Sequence, residues 1–255
     1  MPIISAMGVE TVILPTAVLS THTGEFKNFT FRDLSEDIEK IFKHWKEENI
    51  EFDAVYTGYL GSFEQIDMMK NFVDKLPAGT PVFVDPAMAD NGKLYSGFTE
   101  EFAKHMATLC AKADIIVPNL TEASFMLGID YVESGYDKAY IEDILKKLAE
   151  LGAKKTVLTG VSFETDKIGT AMYDSERNEF FYNLTDKIDA KFHGTGDIFS
   201  SVCVGALMRG KPLEKALEIA ADYTEECIKI TMPNREKHWY GVEFERAIPY
   251  LLERL

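Results

Sequence analysis

The sequence contains few cysteines, little positive charge and no long apolar segment. Its cysteines are far apart and form no CxxC or Cys/His pattern, which argues against a disulfide framework and a structural zinc site; they are Cys110, Cys203 and Cys227. Acidic residues number 42 and basic residues 27, so the net charge is −15, and the clustered positive charge of a nucleic-acid-binding surface is missing. No apolar run reaches the ~18 residues of a membrane span, and the N-terminus has no signal-peptide pattern. We therefore expect a cytoplasmic protein that binds neither nucleic acid nor membrane.

Motifs of several large enzyme classes are missing as well. The sequence has no GxxxxGK[ST], no GxGxxG after a predicted strand, no HExxH and no GxSxG. The sequence therefore lacks the residues that are needed by P-loop proteins, dinucleotide-binding proteins, zinc proteases and hydrolases of these classes.

The sequence does contain an alternation of strand-like and helix-like segments. Ser35, a good N-cap residue, precedes apolar residues at helical spacing. We predict helices at 35–48, 63–76, 99–113 and 141–151. We predict strands at 55–60, 81–86, 114–119 and 155–160. Strands that alternate with helices of this length form right-handed βαβ units, which predicts an α/β fold with a mostly parallel central sheet and helices on both faces.

The pattern changes after Gly160. Segments 167–173 and 179–184 flank a short turn and predict an antiparallel hairpin at the edge of the sheet. Three more helices are predicted at 195–209, 213–230 and 242–255. No linker, internal repeat or low-complexity segment interrupts the chain, so we expect a single domain over residues 1–255.

A glycine-rich segment opens the first of these three helices. Residues 194–197 read GTGD, and the residues that follow are apolar or small. The glycines let the backbone approach a ligand closely, and the free amides and dipole of the helix start favour an anion. Asp197 lies in the first turn, where its carboxylate could accept a proton from a hydroxyl aimed at a bound phosphate. The alternative is a glycine-rich turn in which Asp197 only caps the helix.

Oxygen-bearing side chains follow two consecutive predicted strands. Asp85 and Asp90 come after one strand, and Asn119 and Glu122 come after the next. In open parallel sheets ligands bind at the carboxyl ends of the strands, and hard oxygen donors beside a phosphate site suit Mg²⁺. Taken singly, Asp85 before a proline is often a turn former, and Glu122 is often a first-turn helix acid.

Together these segments resemble a known family. The segment HGTGDIFSSVCVGAL (193–207) resembles the anion-hole motif of the ribokinase superfamily, and NLTE (119–122) matches its NxxE motif. The segments DPAMADNGKLY (85–95), STHTG (20–24) and YTGYLGS (56–62) are similar to pyridoxal (pyridoxamine) kinases in particular. The resemblance runs from about Ser5 to the last helices and implies a ribokinase-like three-layer α/β sandwich.

The implied activity is vitamin B6 salvage, in which the γ-phosphate of Mg-ATP passes to the 5′-hydroxymethyl group of pyridoxal, pyridoxine or pyridoxamine. The resemblance implies that Asp197 is the general base and contacts the substrate, and that the amides of Gly194, Thr195 and Gly196 stabilise the transferring phosphoryl group.

The resemblance also implies the binding residues. Those implied at ATP and its metal are Asp85, Asn119, Glu122, Thr159 beside the phosphates, and Ile188 and Phe192 flanking the adenine. Asp90 and Glu122 are the residues implied at Mg²⁺. Those implied at the vitamin are Thr23 on the polar edge of the pyridine ring, Tyr59 packed on the ring, and Tyr95 on the flap. The resemblance further suggests a homodimer, and it leaves a monovalent-cation requirement open.

The sequence departs from the family at its N-terminus. The family begins with a strand and a glycine-containing loop whose serine touches the substrate, whereas this chain starts within the helix that follows. We therefore expect the native gene product to be longer by this segment, and we expect weak activity or none from a short form.

Two other functions stay open on the sequence. Hydroxymethylpyrimidine kinase resembles the B6 kinases in fold and motifs, although the STHTG and TGYLGS segments favour the pyridoxal branch. A non-catalytic kinase-like protein that binds a nucleotide or a B6 vitamer is the alternative outside enzymes. The presence of Asp197 argues against it, and the missing N-terminal segment argues for it.

Overall fold

The structure, a computed structural model, describes residues 1–23 and 26–255. Gly24 of the STHTG segment lies outside the described residues. The strands are β1 (Ala17–Leu19), β2 (Phe31–Asp33), β3 (Val55–Thr57), β4 (Val82–Val84), β5 (Ala89–Asp90), β6 (Lys93–Leu94), β7 (Ile115–Ile116), β8 (Lys155–Val161), β9 (Lys167–Asp174) and β10 (Glu179–Asp186).

The helices alternate with these strands in the middle of the chain and follow them at its end. They are α1 (Pro2–Ala6), α2 (Ser35–Glu47), α3 (Phe63–Val73), α4 (Glu100–Cys110), α5 (Leu120–Leu127), α6 (Lys138–Glu150), α7 (Thr195–Met208), α8 (Leu213–Thr231) and α9 (Phe244–Leu252). One turn of 3₁₀ helix, Met232–Asn234, follows α8.

Six strands form the central sheet, in the order β10-β9-β8-β7-β4-β3. The pairs β3–β4, β4–β7 and β7–β8 are parallel. The three residues of β4 are all buried, as expected for a parallel strand that is covered on both faces. At the opposite edge β9 and β10 are joined by a short turn. The predictions of an α/β fold, a mostly parallel sheet and an antiparallel edge hairpin are confirmed.

By its internal contacts the chain divides into two compact units. Unit 1 comprises residues 1–13, 161–170 and 181–255, and unit 2 comprises residues 14–160 and 171–180. The prediction of a single domain over residues 1–255 stays a prediction.

The core of unit 2 is built from helices whose apolar residues repeat at helical spacing. In α6 the fully buried positions are Ile141, Ile144, Leu145 and Leu148. The hydroxyl of Thr156 on β8 donates to the carbonyl of Leu145 at 3.0 Å, so the polar group of a buried strand residue is satisfied by the helix.

The core of unit 1 centres on α7, a helix of small and apolar residues that packs against α1 and α8. A Cβ at Gly205 would overlap the sulfur of the buried Met7, so a larger residue there would force the Met7 side chain to move. On α8 the buried Tyr223 donates its hydroxyl to the carbonyl of Phe244 at 2.6 Å, which attaches α9.

Two local predictions were wrong. Ser35 is not the N-cap of α2: Leu34 holds that position without a side-chain bond, and the Ser35 amide donates to Asp33 Oδ1 at 2.7 Å. The strand predicted at 114–119 is short, since β7 is followed by a single bridge from Asn119 to Thr159 and the chain then turns into α5. Within residues 1–23 and 26–255, no helix combines the length and the apolar character needed to cross a membrane.

Candidate active site

In unit 2 the NLTE segment forms the start of α5. Asn119 is the N-cap, and its Oδ1 accepts from the backbone N–H of Glu122 at 2.9 Å. Glu122 Oε2 accepts in return from the backbone N–H of Asn119 at 2.9 Å, which completes a capping box. This reciprocal pair fixes both side chains relative to the end of the sheet.

The same two side chains hold the segment that follows β4. Glu122 Oε1 accepts from the backbone N–H of Met88 at 3.0 Å and of Ala89 at 3.4 Å. The side-chain amide of Asn119 donates to the carbonyl of Ala89 at 2.8 Å. The capping box therefore joins α5 to the DPAMAD segment, in addition to ending the helix.

Two buried carboxyl groups lie in this region. Asp85 is 7% exposed and Glu122 is 3% exposed. Burial, followed by the charge of Asp85, raises the pKa of Glu122 to about 8, although the backbone N–H groups of Asn119, Met88 and Ala89 oppose the rise. Two acidic groups that repel each other in a buried place favour a bound cation.

The donor set fits Mg²⁺ that keeps most of its waters. Carboxylate and amide oxygens are the ligands that Mg²⁺ prefers, and it often takes only one or two carboxylates. The described residues contain no group of three or more His, Cys, Asp or Glu side chains arranged around one point. Asp85, Glu122 and Asn119 would therefore hold the ion through few direct contacts.

Asp90 is placed differently from Asp85 and Glu122. It is exposed at the tip of the hairpin of β5 and β6, where its Oδ1 accepts from the Asn91 backbone N–H at 2.8 Å and its Oδ2 from the Asn91 side chain at 2.6 Å. Asn91 and Gly92 have φ of 51° and 73°, the left-handed values that a two-residue hairpin turn requires. Its role at Mg²⁺ stays a prediction.

Tyr59 and Tyr95, the aromatic residues predicted to contact the vitamin, both lie in unit 2. The half-buried ring of Tyr59 contacts the ring of Phe98 with a centroid distance of 5.7 Å, and Phe98 stacks on Phe102 at 4.1 Å. Burial, followed by the charge of Asp33, raises the pKa of the Tyr59 phenol, so this group is a neutral donor at ordinary pH. Tyr95 is 36% exposed, and its backbone N–H donates to the carbonyl of Met88 at 2.8 Å.

The remaining residues predicted in unit 2 are Thr23 and Thr159. Thr23 is partly buried and directly precedes the residues that are not described. Thr159 on β8 pairs with Asn119 through a parallel bridge, and its backbone N–H donates to the carbonyl of Pro118 at 3.0 Å. The structure therefore brings Thr159 to the NLTE segment.

In unit 1 the GTGD segment forms the start of α7. Gly194 is the N-cap with φ of 80°, and no side chain caps the helix, so its first amides are not used by a capping side chain. A Cβ added at Gly194 or at Gly196 would meet nothing within 4 Å. Asp197 is exposed in the first turn. An uncapped helix start with open space beside its glycines is the geometry of an anion-binding site.

The other residues predicted in unit 1 lie at the start of α7 or shortly before it. The Thr195 hydroxyl donates to the carbonyl of Phe192 at 3.4 Å, which ties the GTGD turn to the preceding segment. Ile188 and Phe192, predicted to flank the adenine, are both partly buried. Their role stays a prediction.

Comparison with known proteins decides the family. A family model for phosphomethylpyrimidine kinase matches residues 2–241. This protein belongs to the phosphomethylpyrimidine kinase family. The family assignment confirms the predicted kinase class and the resemblance to the ribokinase superfamily.

Individual relatives and solved structures agree with this family assignment. Pyridoxal kinase from Dictyostelium discoideum is 30% identical over 221 residues, which cover 78% of this chain and 71% of that protein. A Bacteroides thetaiotaomicron protein, named for phosphomethylpyrimidine kinase and crystallised with pyridoxal, is 35% identical with a TM-score of 0.92, over 98% of this chain and 88% of its own. Pyridoxal kinase from Lactobacillus plantarum is 31% identical with a TM-score of 0.89, over 99% of this chain and 89% of its own.

Sequence reasoning missed how this kinase uses the start of α5. Helix α5 was not predicted, and neither were the contacts of Glu122 with Met88 and Ala89. A signal was present, because a capping residue followed three positions later by Glu marks a capping box at a helix start. The contacts with Met88 and Ala89 have no local signal, since Glu122 is 34 residues from Met88 in sequence.

Proposed function

We propose that this protein phosphorylates the 5′-hydroxymethyl group of a B6 vitamer, that is pyridoxal, pyridoxine or pyridoxamine, with ATP as the phosphoryl donor. The observation that carries the proposal is the start of α7, where uncapped amides, open space and Asp197 occur together in a member of a kinase family. The choice of vitamer class is supported by the similarity to a protein crystallised with pyridoxal.

The residues of unit 1 carry the transfer. The substrate oxygen attacks the γ-phosphorus, the bond between that phosphorus and the β,γ-bridging oxygen breaks, and ADP leaves. Asp197 accepts the proton of the attacking hydroxyl. The amides of Gly194, Thr195 and Gly196, with the dipole of α7, stabilise the charge that develops on the transferring group. Ile188 and Phe192 pack on the adenine.

The residues of unit 2 hold the metal and the vitamin. Mg²⁺, when bound, neutralises charge on the phosphate oxygens of ATP. Asp85, Asn119 and Glu122 would hold the ion, and Asp90 would contribute a further carboxylate from the hairpin. Thr159 contacts the phosphates. The vitamin ring packs on Tyr59, with Thr23 on its polar edge and Tyr95 on the flap. Stacking on an aromatic side chain that also carries a hydroxyl suits a flat, polar heterocycle.

Hydroxymethylpyrimidine kinase is the second candidate function. It is supported by the matching family model and by the name of the Bacteroides protein, both of which refer to phosphomethylpyrimidine kinase. The two substrates are both flat heterocycles with a hydroxymethyl group, so the same phosphoryl-transfer residues serve either one.

A side-by-side assay distinguishes these functions. ADP release is measured with Mg-ATP and each of pyridoxal, pyridoxine, pyridoxamine and hydroxymethylpyrimidine. We expect the largest kcat/KM with a B6 vitamer. The assay is run on this chain and on a version extended to an upstream start. A larger value with hydroxymethylpyrimidine would move the assignment to the second function, and absence of turnover with all four substrates in both forms would favour the non-catalytic binding protein.

Replacing Asp197 tests the proposed base. Because general-base catalysis contributes about 10²- to 10⁴-fold, Asp197→Asn should lower kcat by at least about 100-fold while nucleotide affinity, measured by calorimetry, stays within about twofold. Glu214→Gln is the matched control, since Glu214 lies in the first turn of the neighbouring helix α8. An Asp197→Asn variant as active as this control would exclude Asp197 as the base.

Three further properties belong to this proposal. The cytoplasmic location rests on cysteines that are all free and buried, as a reducing compartment allows. The homodimer and the open question of a monovalent cation rest on the family resemblance. Sedimentation analysis and turnover in potassium against tetramethylammonium salts test these two.

A further inference from the structure

The segment after β4 is attached to α5 at more than one point. We call residues 88–98 the strap; it contains the hairpin of β5 and β6 and ends at Phe98. Its first residues are held by Glu122, as described above. Its last residue stacks on Phe102 and contacts Tyr59. The strap therefore links the buried carboxyl groups to the aromatic residues of unit 2.

The turn of the strap has an attachment of its own. The backbone N–H of Gly92 donates to Thr121 Oγ1 at 3.0 Å. Thr121 is 2% exposed and is the third residue of the NLTE segment. A buried hydroxyl thus binds the turn from the same helix start that binds Met88 and Ala89.

The ring of Tyr131 packs against the same glycine. A Cβ at Gly92 would lie 2.9 Å from Cδ1 and 3.1 Å from Cε1 of Tyr131, so the ring lies directly on the glycine. Burial raises the pKa of the Tyr131 phenol, and a hydrogen bond with the Thr121 side chain opposes the rise. Gly92 thus contacts both the Tyr131 ring and the Thr121 hydroxyl.

We propose that Thr121 and Tyr131 are positioning residues, which fix the strap so that Asp90 and Tyr95 are correctly placed for phosphoryl transfer. Neither side chain was singled out by the sequence patterns. The inference rests on the proposed function for its catalytic consequence. The attachment itself depends only on the contacts of Gly92.

The chain offers a matched control for the hydroxyl. Ser124 lies on the same helix, is equally buried at 2% exposure, and donates its hydroxyl to the carbonyl of Leu120 at 2.8 Å, within α5. Thr121→Val and Ser124→Ala each remove one buried hydroxyl from α5, but only the first removes a bond to the strap. Thr121→Ser keeps the hydroxyl and serves as the conservative variant.

The experiment combines amide hydrogen exchange with kinetics on the full chain. In Thr121→Val we expect peptides from residues 88–95 to lose protection, and kcat/KM to fall about tenfold or more, since small misplacements in an active site are costly. Tyr131→Ala should have the same two effects. Thr121→Ser and Ser124→Ala should keep both properties within about twofold.

The outcomes are separable. Unchanged protection of the strap in Thr121→Val and Tyr131→Ala, or lost protection with unchanged kcat/KM, would overturn the inference. Equal losses in Thr121→Val and Ser124→Ala would show a general effect on α5 and would overturn it as well. If neither this chain nor the version extended to an upstream start turned over any of the four substrates, the proposed function would be overturned. The hydrogen-exchange measurement would still test the attachment of the strap, because it does not depend on turnover.

Discussion

At the scale of single residues, the carboxylate of Asp174 in unit 2 is buried and bound by several partners. Asp174 at the end of β9 is 1% exposed, and its Oδ2 lies 2.9 Å from the ammonium of Lys155. Its Oδ1 accepts from the backbone N–H groups of Glu176 and Arg177 at 3.0 and 3.1 Å. Burial alone would raise the pKa of Asp174, but these partners outweigh it, and the pKa lies below its ordinary value of 3.8.

Asp174→Asn should destabilise the protein by about 3 kcal/mol at neutral pH, because it leaves the partly buried ammonium of Lys155 without its counter-charge. A carboxyl group whose pKa is lower in the folded state stabilises fully above the unfolded value of 3.8, and this contribution is lost as the pH falls through the folded pKa. The difference from wild type, measured by urea unfolding, should therefore shrink below about pH 4.

Glu179→Gln is the control for this prediction. Glu179 pairs with Arg177 on the same hairpin, but both side chains are about half exposed, and exposed pairs contribute little. We expect a change below about 1 kcal/mol. If the Asp174 variant loses no more stability than this control, the buried pair does not stabilise the hairpin.

At the scale of elements, helix caps account for several boundaries. Asp137 caps α6, and its Oδ1 accepts from the Tyr140 backbone N–H at 2.9 Å. Asn119 and Thr99 cap α5 and α4 in the same way. Leu34 and Gly194 cap their helices without a side-chain bond. Side chains therefore close the starts of α4, α5 and α6, whereas the starts of α2 and α7 have no side-chain cap.

Removing the cap of α6 tests this element. Asp137→Ala should cost about 1 kcal/mol of stability, because it frees one backbone N–H at the helix start, whereas Asp137→Asn, which also caps well, should cost much less. Thermal unfolding of the two variants measures the difference. Equal stability of the two would mean that the side chain of Asp137 contributes nothing to the helix.

Element patterns were predicted well where they are local. The apolar residues of α3, α4, α6 and α8 repeat at helical spacing, whereas α7 carries small and apolar residues on all sides, and the predicted ranges contain most of each of these helices. Helix α5 was not predicted, although Glu122 was considered as a first-turn helix acid, because no helix was assigned to the residues after the NLTE segment. Ser35 failed as an N-cap because it is the first residue of the helix itself: Leu34 holds the cap position, and the side chain of Asp33 accepts the Ser35 amide.

For the whole molecule the net charge of −15 is the dominant long-range property. Mg-ATP is also negatively charged, so its approach is opposed until the local amides and metal ligands act. This repulsion is screened as ionic strength rises, because the Debye length falls to about 8 Å at 0.15 M salt.

We therefore expect the association rate of Mg-ATP to increase, about two- to fivefold, between 10 and 150 mM salt. Stopped-flow fluorescence with a labelled nucleotide measures the rate. Potassium and tetramethylammonium chloride at equal ionic strength separate screening from a specific monovalent-ion effect. A rate that falls with salt would show that positive local potential at the nucleotide site outweighs the net charge.

The candidate site could be predicted in part. The sequence singled out the GTGD and NLTE segments and the acids after β4, and the structure places Asp85, Asn119 and Glu122 in one buried region of unit 2. The sequence did not show that both carboxylate oxygens of Glu122 accept backbone N–H groups. Nor did the sequence show that Asp90 is exposed at a hairpin tip while Asp85 is buried.

The sequence by itself determined the α/β class, most helix positions, the edge hairpin and the kinase family, because periodicity, turn residues and motifs are local patterns. Only the tertiary structure decided which backbone groups Glu122 and Thr121 bind and that Tyr131 packs on Gly92. The contacts of Glu122 and Thr121 join the start of α5 to a segment about thirty residues earlier, and Tyr131 reaches the same segment from beyond the end of α5. They exist because β4 and β7, the strands that precede the two segments, are neighbours in the sheet. Distance along the chain carries no signal for such a contact, whereas strand order and burial create it.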